Sequence, residues 1–312
     1  MSNRRRRVLA IIPLPDAVVA KLADTYDLVY RPQGWRAVTE RETAATEVVV
    51  TNGTSGLSAD FISALPELRL ISAFGAGYEN IDLQAARSRQ IAVTHAPGVN
   101  DSTVADHALA LALALARDIP QRDRAMRSGA WAGIRSARPT LSGAVVGVLG
   151  LGHIGRKIAQ RAQAFDTRIL YHTPRPKPDC PWQYAASPQQ LAEEAHFLFV
   201  ACPGGRATYH LVDSGVLRAL GPKGFLINIA RGNIVDTAAL IDALATGGIA
   251  GAALDVYENE PKVAAELLAF PNLVCTPHMA GRSPEAEKSQ GDLLLDNLGA
   301  LFASRPLLTP VS

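Results

Sequence analysis

Short apolar runs alternate with segments of helical spacing along nearly the whole chain, a rhythm that predicts βαβ units and parallel sheets. In the first part Val8–Ile12, Asp27–Tyr30, Glu47–Thr51, Leu68–Phe74 and Ile91–Thr94 read as strands, with helices Ala17–Ala23, Ala59–Leu65 and Leu83–Ser88 between them. A second series begins at Ala144–Leu149 and continues through Arg168–His172, Phe197–Ala201, Phe225–Ile229, Gly251–Val256 and Leu273–Thr276. The closing segment, Pro284 to Ala303, has helical spacing with no strand after it, so it is expected to return to the first domain.

Between the two series Asp101-Ser102-Thr103 reads as an N-cap cluster ahead of a helix, Val104–Arg117, made almost entirely of Ala and Leu. A helix apolar on every side must be buried on every side. Burial inside one domain and burial in a dimer interface meet that need equally. The adjoining stretch Ile119–Leu141 reads as irregular, which suits the second alternative. The expected division is a discontinuous flavodoxin-like domain, 1–98 with 284–312, and a Rossmann-like domain, 99–283, carrying a dimerisation helix and loop at 104–141.

A length of 312 residues agrees with two domains. Hydrophobic residues make up 48% of the chain and charged residues 19%, and the net charge of +2 is too balanced to imply a polyanionic partner such as nucleic acid. The run Arg4-Arg5-Arg6-Arg7 fits either a contact with an anionic surface or a solvated leader into the first strand, and the second reading is preferred. Cys180, Cys202 and Cys275 are odd in number and lack C-x-x-C spacing, so neither a disulfide framework nor a metal site is indicated and a reducing cytoplasm fits best. The longest apolar stretch, Ala108 to Ala116, falls well short of the roughly 20 residues needed to span a bilayer. No export signal or membrane segment is therefore expected.

Candidate chemistry changes the picture most after the strand Val145–Leu149, where Gly150-Leu151-Gly152-His153-Ile154-Gly155 opens a helix-like segment. In that context the glycines form a dinucleotide fingerprint: Gly150 for the tight turn, Gly152 for close approach of the pyrophosphate, Gly155 for helix–strand packing. The helix N-terminus offers unpaired N–H groups to the phosphates. An acidic residue about 20 positions on would bond the ribose of NAD. The second strand ends instead in Thr173-Pro174-Arg175-Pro176-Lys177, with no carboxylate before Asp179. Such a tip favours a 2′-phosphate, so NADPH/NADP is the preferred cofactor and NADH/NAD the alternative.

Arg231, Asp255 with Glu260, and His278 each follow an apolar strand of the second series, where ligands gather outside the carboxyl ends of a parallel sheet. Arginine can pair with a substrate carboxylate and stabilise the alkoxide that forms as hydride reaches C2 of a 2-keto acid. Histidine would deliver the proton, and a glutamate on its far nitrogen would orient it and favour the imidazolium. With Phe74-Gly75-Ala76-Gly77-Tyr78-Glu79-Asn80-Ile81-Asp82, Thr103-Val104-Ala105-Asp106-His107 and Ala201-Cys202-Pro203-Gly204-Gly205, these segments resemble the D-isomer-specific 2-hydroxyacid dehydrogenase family nearly end to end, most closely its NADPH-dependent glyoxylate/hydroxypyruvate reductase branch.

The resemblance implies two α/β domains with parallel sheets, an active site in the cleft between them, and a homodimer. Arg231, Glu260 and His278 would be catalytic, with Asn52, Gly53, Ala76, Gly77, Arg231 and His278 on the substrate. The cofactor would lie against Val104, Gly150, Leu151, Gly152, His153, Ile154, Gly155, Thr173, Arg175, Cys202, Pro203, Thr208, Ile229, Ala230, Arg231, Asp255, His278 and Ala280, with Asp255 on the carboxamide. Two positions depart from the pattern: Pro174 stands where NADPH-using relatives often carry arginine, and Ile134 stands where a second tryptophan can follow Trp131 in the loop offered to the partner subunit. A reductase of a bulkier keto acid, of hydroxyphenylpyruvate or 2-ketogluconate type, thus stays open, as does a nucleotide-sensing corepressor-like binding protein. Formate dehydrogenases, which carry glutamine at the Glu260 position, fit poorly.

Overall fold

A computed structural model describes residues 5–311 and contains twelve strands. The chain forms two compact units, one comprising the chain up to Asn100 with the chain from Arg282 onward, the other Asp101–Gly281.

In the first unit β1 (Arg7–Ala10), β2 (Asp27–Tyr30), β3 (Thr46–Thr51), β4 (Leu70–Ala73) and β5 (Ala92–Thr94) form a parallel sheet in the order β2-β1-β3-β4-β5. This is the flavodoxin-like order. Successive residues of a strand point to opposite faces, and here both faces are apolar. Leu9, Val49 and Ile71 pack with Phe61, Ile62 and Leu65 on one side. Val8, Val48, Val50 and Leu70 pack on the other with Val18, Leu22, Leu294 and Leu298, so the helix Pro284–Phe302 closes that face. The chain after this helix, read as free of strand, makes an antiparallel bridge from Pro310 to Thr94, with Val311 N–H donating to Val93 O at 2.8 Å. It supplies an outer partner to the edge strand β5, an arrangement with no apolar period to announce it.

In the second unit β6 (Val145–Leu149), β7 (Arg168–His172), β8 (Gln183–Tyr184), β9 (Phe197–Val200), β10 (Phe225–Asn228), β11 (Gly251–Leu254) and β12 (Leu273–Cys275) form a parallel sheet in the order β12-β11-β10-β9-β6-β7-β8. The order reverses beside β6, which creates a crevice at the carboxyl ends of β6 and β9. Phe197, Phe199, Phe225 and Ile227 face one layer of helices, and Leu198, Val200 and Leu226 face the other. Removing a fully buried phenylalanine side chain such as Phe199 would cost about 3–5 kcal/mol.

The apolar helix runs Asp101–Ala116, so Asp101-Ser102-Thr103 is its first turn rather than a cap ahead of it. An acidic residue in the first turn complements the positive end of the helix dipole. It lies on β10, β11 and β12 and against the helix His153–Gln163, where Arg161 Nε meets Asp106 Oδ1 at 2.5 Å. Ser102, Asp106 and Ala110 form its exposed stripe, and nine of its sixteen residues are buried. The stretch after it is not wholly irregular: Ile119–Arg127 is a helix. Proline costs nothing in a first turn, Asp118 takes the left-handed conformation at φ +57°, and Arg127 pairs with Asp123 at 2.9 Å.

The arginine leader is internally paired, Arg6 with Glu47 at 3.2 Å and Arg7 with Asp27 at 2.7 Å, while Arg4 lies outside the described residues. The three cysteines are free. Among the described residues no helix is long and apolar enough to cross a membrane, and no cluster of His, Cys, Asp or Glu could hold a metal ion.

Candidate active site

The turn after β6 brings its glycines against neighbouring backbone and opens a helix. Gly150 has φ +97°, and a Cβ there would fall 2.4 Å from Cys202 N. A Cβ on Gly155 would fall 2.0 Å from Gly150 O, so only glycine lets the helix start this close to the strand. Gly152, by contrast, borders open space and caps the helix His153–Gln163 without any side-chain hydrogen bond. The first-turn N–H groups are therefore available to an anion, as a bound pyrophosphate requires.

Leu151, Val104, Ile229 and Ala280 are buried in one apolar cluster, with Ile154 packed against it. Ala230 is also buried. The His153 side chain is exposed, with Nδ1 3.4 Å from a carboxylate oxygen of the buried Asp101. At the tip of β7 the buried Thr173 donates its hydroxyl to Arg175 O at 2.6 Å, and Arg175 itself is exposed. Thr208, expected to touch the cofactor, donates to Pro203 O at 2.8 Å and so staples its own loop. Burial pushes the Cys202 thiol up to about 11, so it stays protonated and chemically quiet.

The three expected catalytic residues leave adjacent strands. At the end of β10 the buried Asn228 shapes the turn that follows, donating from Nδ2 to Arg231 O at 3.0 Å and accepting from Ala230 N–H at 3.1 Å. Gly204 comes close enough that a Cβ would lie 2.8 Å from Arg231 Cγ, which walls the arginine stem. Beyond β11, Glu260 Oε1 accepts from Tyr257 N–H at 2.9 Å, while Oε2 lies 2.6 Å from His278 Nδ1. Burial alone would raise the Glu260 carboxyl. The bonds from His278 and Tyr257, with the charges of His278 and Arg231, outweigh it and hold the group below the usual glutamate range.

His278 stands at φ +51°, a left-handed conformation that a non-glycine residue keeps only when its surroundings impose it. Asp255 imposes it. Its backbone oxygen accepts from His278 N–H at 2.8 Å, and its carboxylate, 1% exposed, accepts from Met279 N–H at 2.9 Å, Ala280 N–H at 2.8 Å and the Thr276 hydroxyl at 2.6 Å. Sequence reasoning placed Asp255 at the cofactor, but three of its roughly four acceptor positions hold the His278 loop. It also gave His107 and Thr276 no role. Because the Thr276 hydroxyl is spent on Asp255, His107 Nε2, 3.0 Å away, must be the donor to it, and this ties the helix Asp101–Ala116 to the same network.

In the first unit the structure brings the Asn52-Gly53 turn onto Gly77, where a Cβ on Gly53 would lie 2.6 Å from the Gly77 carbonyl carbon. Neighbouring Ala76 accepts at its carbonyl from His95 Nδ1 at 2.9 Å. In the arm that follows the helix Ile119–Arg127, residues 128–141, Trp131 is 62% exposed and Ile134 O accepts from Arg122.

A sequence model of the D-isomer specific 2-hydroxyacid dehydrogenase NAD binding domain matches residues 109–280. The chain is 44% identical over 264 residues, 84% of each sequence, to a glyoxylate/hydroxypyruvate reductase A of Arabidopsis thaliana. It is 42% identical over 264 residues, again 84% of each, to a hydroxyphenylpyruvate reductase of Plectranthus scutellarioides. Its fold superimposes with a TM-score of 0.92 on an NADPH-dependent glyoxylate/hydroxypyruvate reductase of Sinorhizobium meliloti solved with NADP and malonate, at 38% identity and covering 99% of this chain and 97% of that one. The chain belongs to the D-isomer specific 2-hydroxyacid dehydrogenase family, whose members are NAD(P)-dependent oxidoreductases.

Proposed function

We propose that this chain reduces a small 2-keto acid to the D-2-hydroxy acid, in the manner of a glyoxylate/hydroxypyruvate reductase, with NADPH preferred over NADH. The observation that carries the reading is the 2.6 Å contact of His278 Nδ1 with Glu260 Oε2. A carboxylate at Nδ1 takes the hydrogen bond of that nitrogen, so Nε2 is the end of the ring left to give a proton. A bound nicotinamide dinucleotide supplies the hydride that C2 receives. Arg231 pairs with the substrate carboxylate and polarises the ketone oxygen, and its charge stabilises the developing alkoxide. The proton from Nε2 goes to that oxygen, C=O becomes CH–OH, and the neutral imidazole regains its proton from solvent. Glu260 keeps the ring oriented throughout, while Asp255 fixes the backbone beneath it and retains one acceptor position for a carboxamide N–H.

The preference for NADPH rests on the β7 tip, where an exposed Arg175 follows Thr173 and no carboxylate precedes Asp179. Exposed Ile119, Met126 and Trp131 on the helix Ile119–Arg127 and the arm beyond it support a homodimer through this region. Three free cysteines support a reducing cytoplasmic location. Initial rates of NADPH and NADH oxidation with glyoxylate, hydroxypyruvate and 4-hydroxyphenylpyruvate test the reading. Turnover of the first two, faster with NADPH, is expected. Turnover of 4-hydroxyphenylpyruvate alone would move the substrate class, and a clear NADH preference would overturn the role of Arg175.

A further inference from the structure

A second carboxylate on the segment after β11 takes no part in the chemistry above. Glu258 Oε1 lies 2.8 Å from His210 Nε2, and Oε2 accepts from the Thr237 hydroxyl at 2.7 Å. Burial alone would raise this carboxyl, but the bonds from Thr237 and His210 outweigh it and hold the group below the usual glutamate range. Both contacts are therefore charge-assisted at neutral pH. The three side chains come from three different segments. His210, itself left-handed at φ +48°, lies in the loop after β9; Thr237 opens the helix behind the Arg231 turn; Glu258 sits two residues before Glu260.

The backbones are laced the same way. His210 N–H donates to Asn233 O at 2.9 Å, Val212 N–H to Ile234 O at 2.9 Å and Asp236 N–H to Val212 O at 3.0 Å. A Cβ on Gly232 would fall 1.8 Å from the Tyr257 carbonyl carbon, so the Arg231 turn and the Glu258 segment touch backbone to backbone. His210 Nδ1 faces Asp236 Oδ2 at 3.6 Å, so each ring nitrogen looks at a carboxylate.

We propose that Glu258, His210 and Thr237 form a clamp that fixes the Arg231 turn relative to the Glu260–His278 pair, which makes His210 and Glu258 positioning residues for keto-acid reduction. This rests on the catalytic reading of Arg231, Glu260 and His278 given above. The physical need is plain: the guanidinium that polarises the ketone oxygen and the imidazole that protonates it ride on separate segments, yet both must reach one atom. A misplacement of about 1 Å in such a pair costs on the order of 10²-fold in rate. One ionised carboxylate that binds the segments on either side of it holds the spacing without entering the reaction.

The test uses the full chain as His210→Ala, His210→Gln and Glu258→Ala. For the two alanine variants we expect kcat/KM to fall on the order of 10²-fold, KM for the keto acid to rise, and the isotope effect with C4-deuterated NADPH to increase, with the Kd for NADPH unchanged. His210→Gln, whose amide N–H can reach the same carboxylate, should recover most of the loss. A merely structural role would lower the active fraction and Tm without moving KM or the isotope effect, and that pattern overturns the proposal. Amide hydrogen exchange supplies a readout apart from activity: it should quicken in 230–237 and 255–261 of His210→Ala and stay unchanged in 145–165. Unchanged exchange in 255–261, or faster exchange with wild-type kinetics, sinks the clamp. If the wild-type chain reduces no keto acid, the catalytic reading fails on its own, and exchange still decides whether the clamp exists.

Discussion

Asp255→Asn separates the protein's use of a buried carboxylate from the use of its shape. The side chain is 1% exposed and accepts three hydrogen bonds, two at Oδ1 and one at Oδ2. An asparagine oriented to keep the Thr276 and Met279 bonds turns its NH₂ toward Ala280 N–H, so two donors confront each other where water cannot intervene. Losing that charge-assisted bond costs about 1.5–3 kcal/mol. The two surviving bonds weaken as the acceptor becomes neutral, by roughly half of their strength each. Relief from burying a charge offsets part of this, which leaves a net loss of about 2–4 kcal/mol, a large share of the ~5–15 kcal/mol that holds a domain folded. The lost bond is also one that pins His278 at φ +51°, so kcat/KM should fall on the order of 10²-fold, as for a proton donor displaced by about 1 Å. Urea unfolding and initial-rate kinetics measure the two effects. An Asp255→Asn protein with wild-type urea midpoint and wild-type kcat/KM would refute the assignment of Asp255 as organiser of the His278 loop.

Other perturbations act on single links of the account. Arg231→Ala should lose about 3–4 kcal/mol of transition-state stabilisation, read from kcat/KM, with Tm nearly unchanged, since its role is electrostatic; near-wild-type turnover would contradict the mechanism. The folded-state carboxyl of Glu260 is depressed, so its contribution to stability is full above the ordinary glutamate range and is lost as pH falls through the lower folded value. The stability difference between wild type and Glu260→Gln should therefore be constant from neutral pH down to that range and vanish below it in thermal scans; a difference that persists in strong acid would speak against an ionised pair. Arg175→Ala should raise KM for NADPH roughly ten-fold, the equivalent of one charge-assisted bond of about 1.4 kcal/mol, and leave KM for NADH unchanged.

The sheets were legible because parallel strands covered on both faces must be apolar on both faces, and runs such as Phe197–Val200 have no other use in a chain of this composition. The helix Ile119–Arg127 was not, since none of its residues is buried and no apolar period marks it; its i,i+4 ion pairs announce a helix only once it exists. The two-residue β8 was too short to carry a pattern. Arg231, Glu260 and His278 could be found because each lies within six residues of the carboxyl end of a strand of one sheet, where chain position predicts spatial position. His107, His210 and Glu258 could not, because their meaning lies in partners 21 to 169 positions away along the chain. A side chain that serves another side chain leaves no local spacing to read.

Isotope tracing follows the hydride that this chain is proposed to move from NADPH to C2 of a 2-keto acid. The chain would be incubated with NADPH deuterated at both C4 positions and hydroxypyruvate or glyoxylate, and the product analysed by mass spectrometry and, for hydroxypyruvate, chiral chromatography. One deuterium is expected at C2 in each product, with D configuration in the product from hydroxypyruvate, and a rate of labelling that falls with Arg231→Ala in step with its kcat/KM. Oxidation of the cofactor without deuterium at C2, or a product of L configuration, would contradict it.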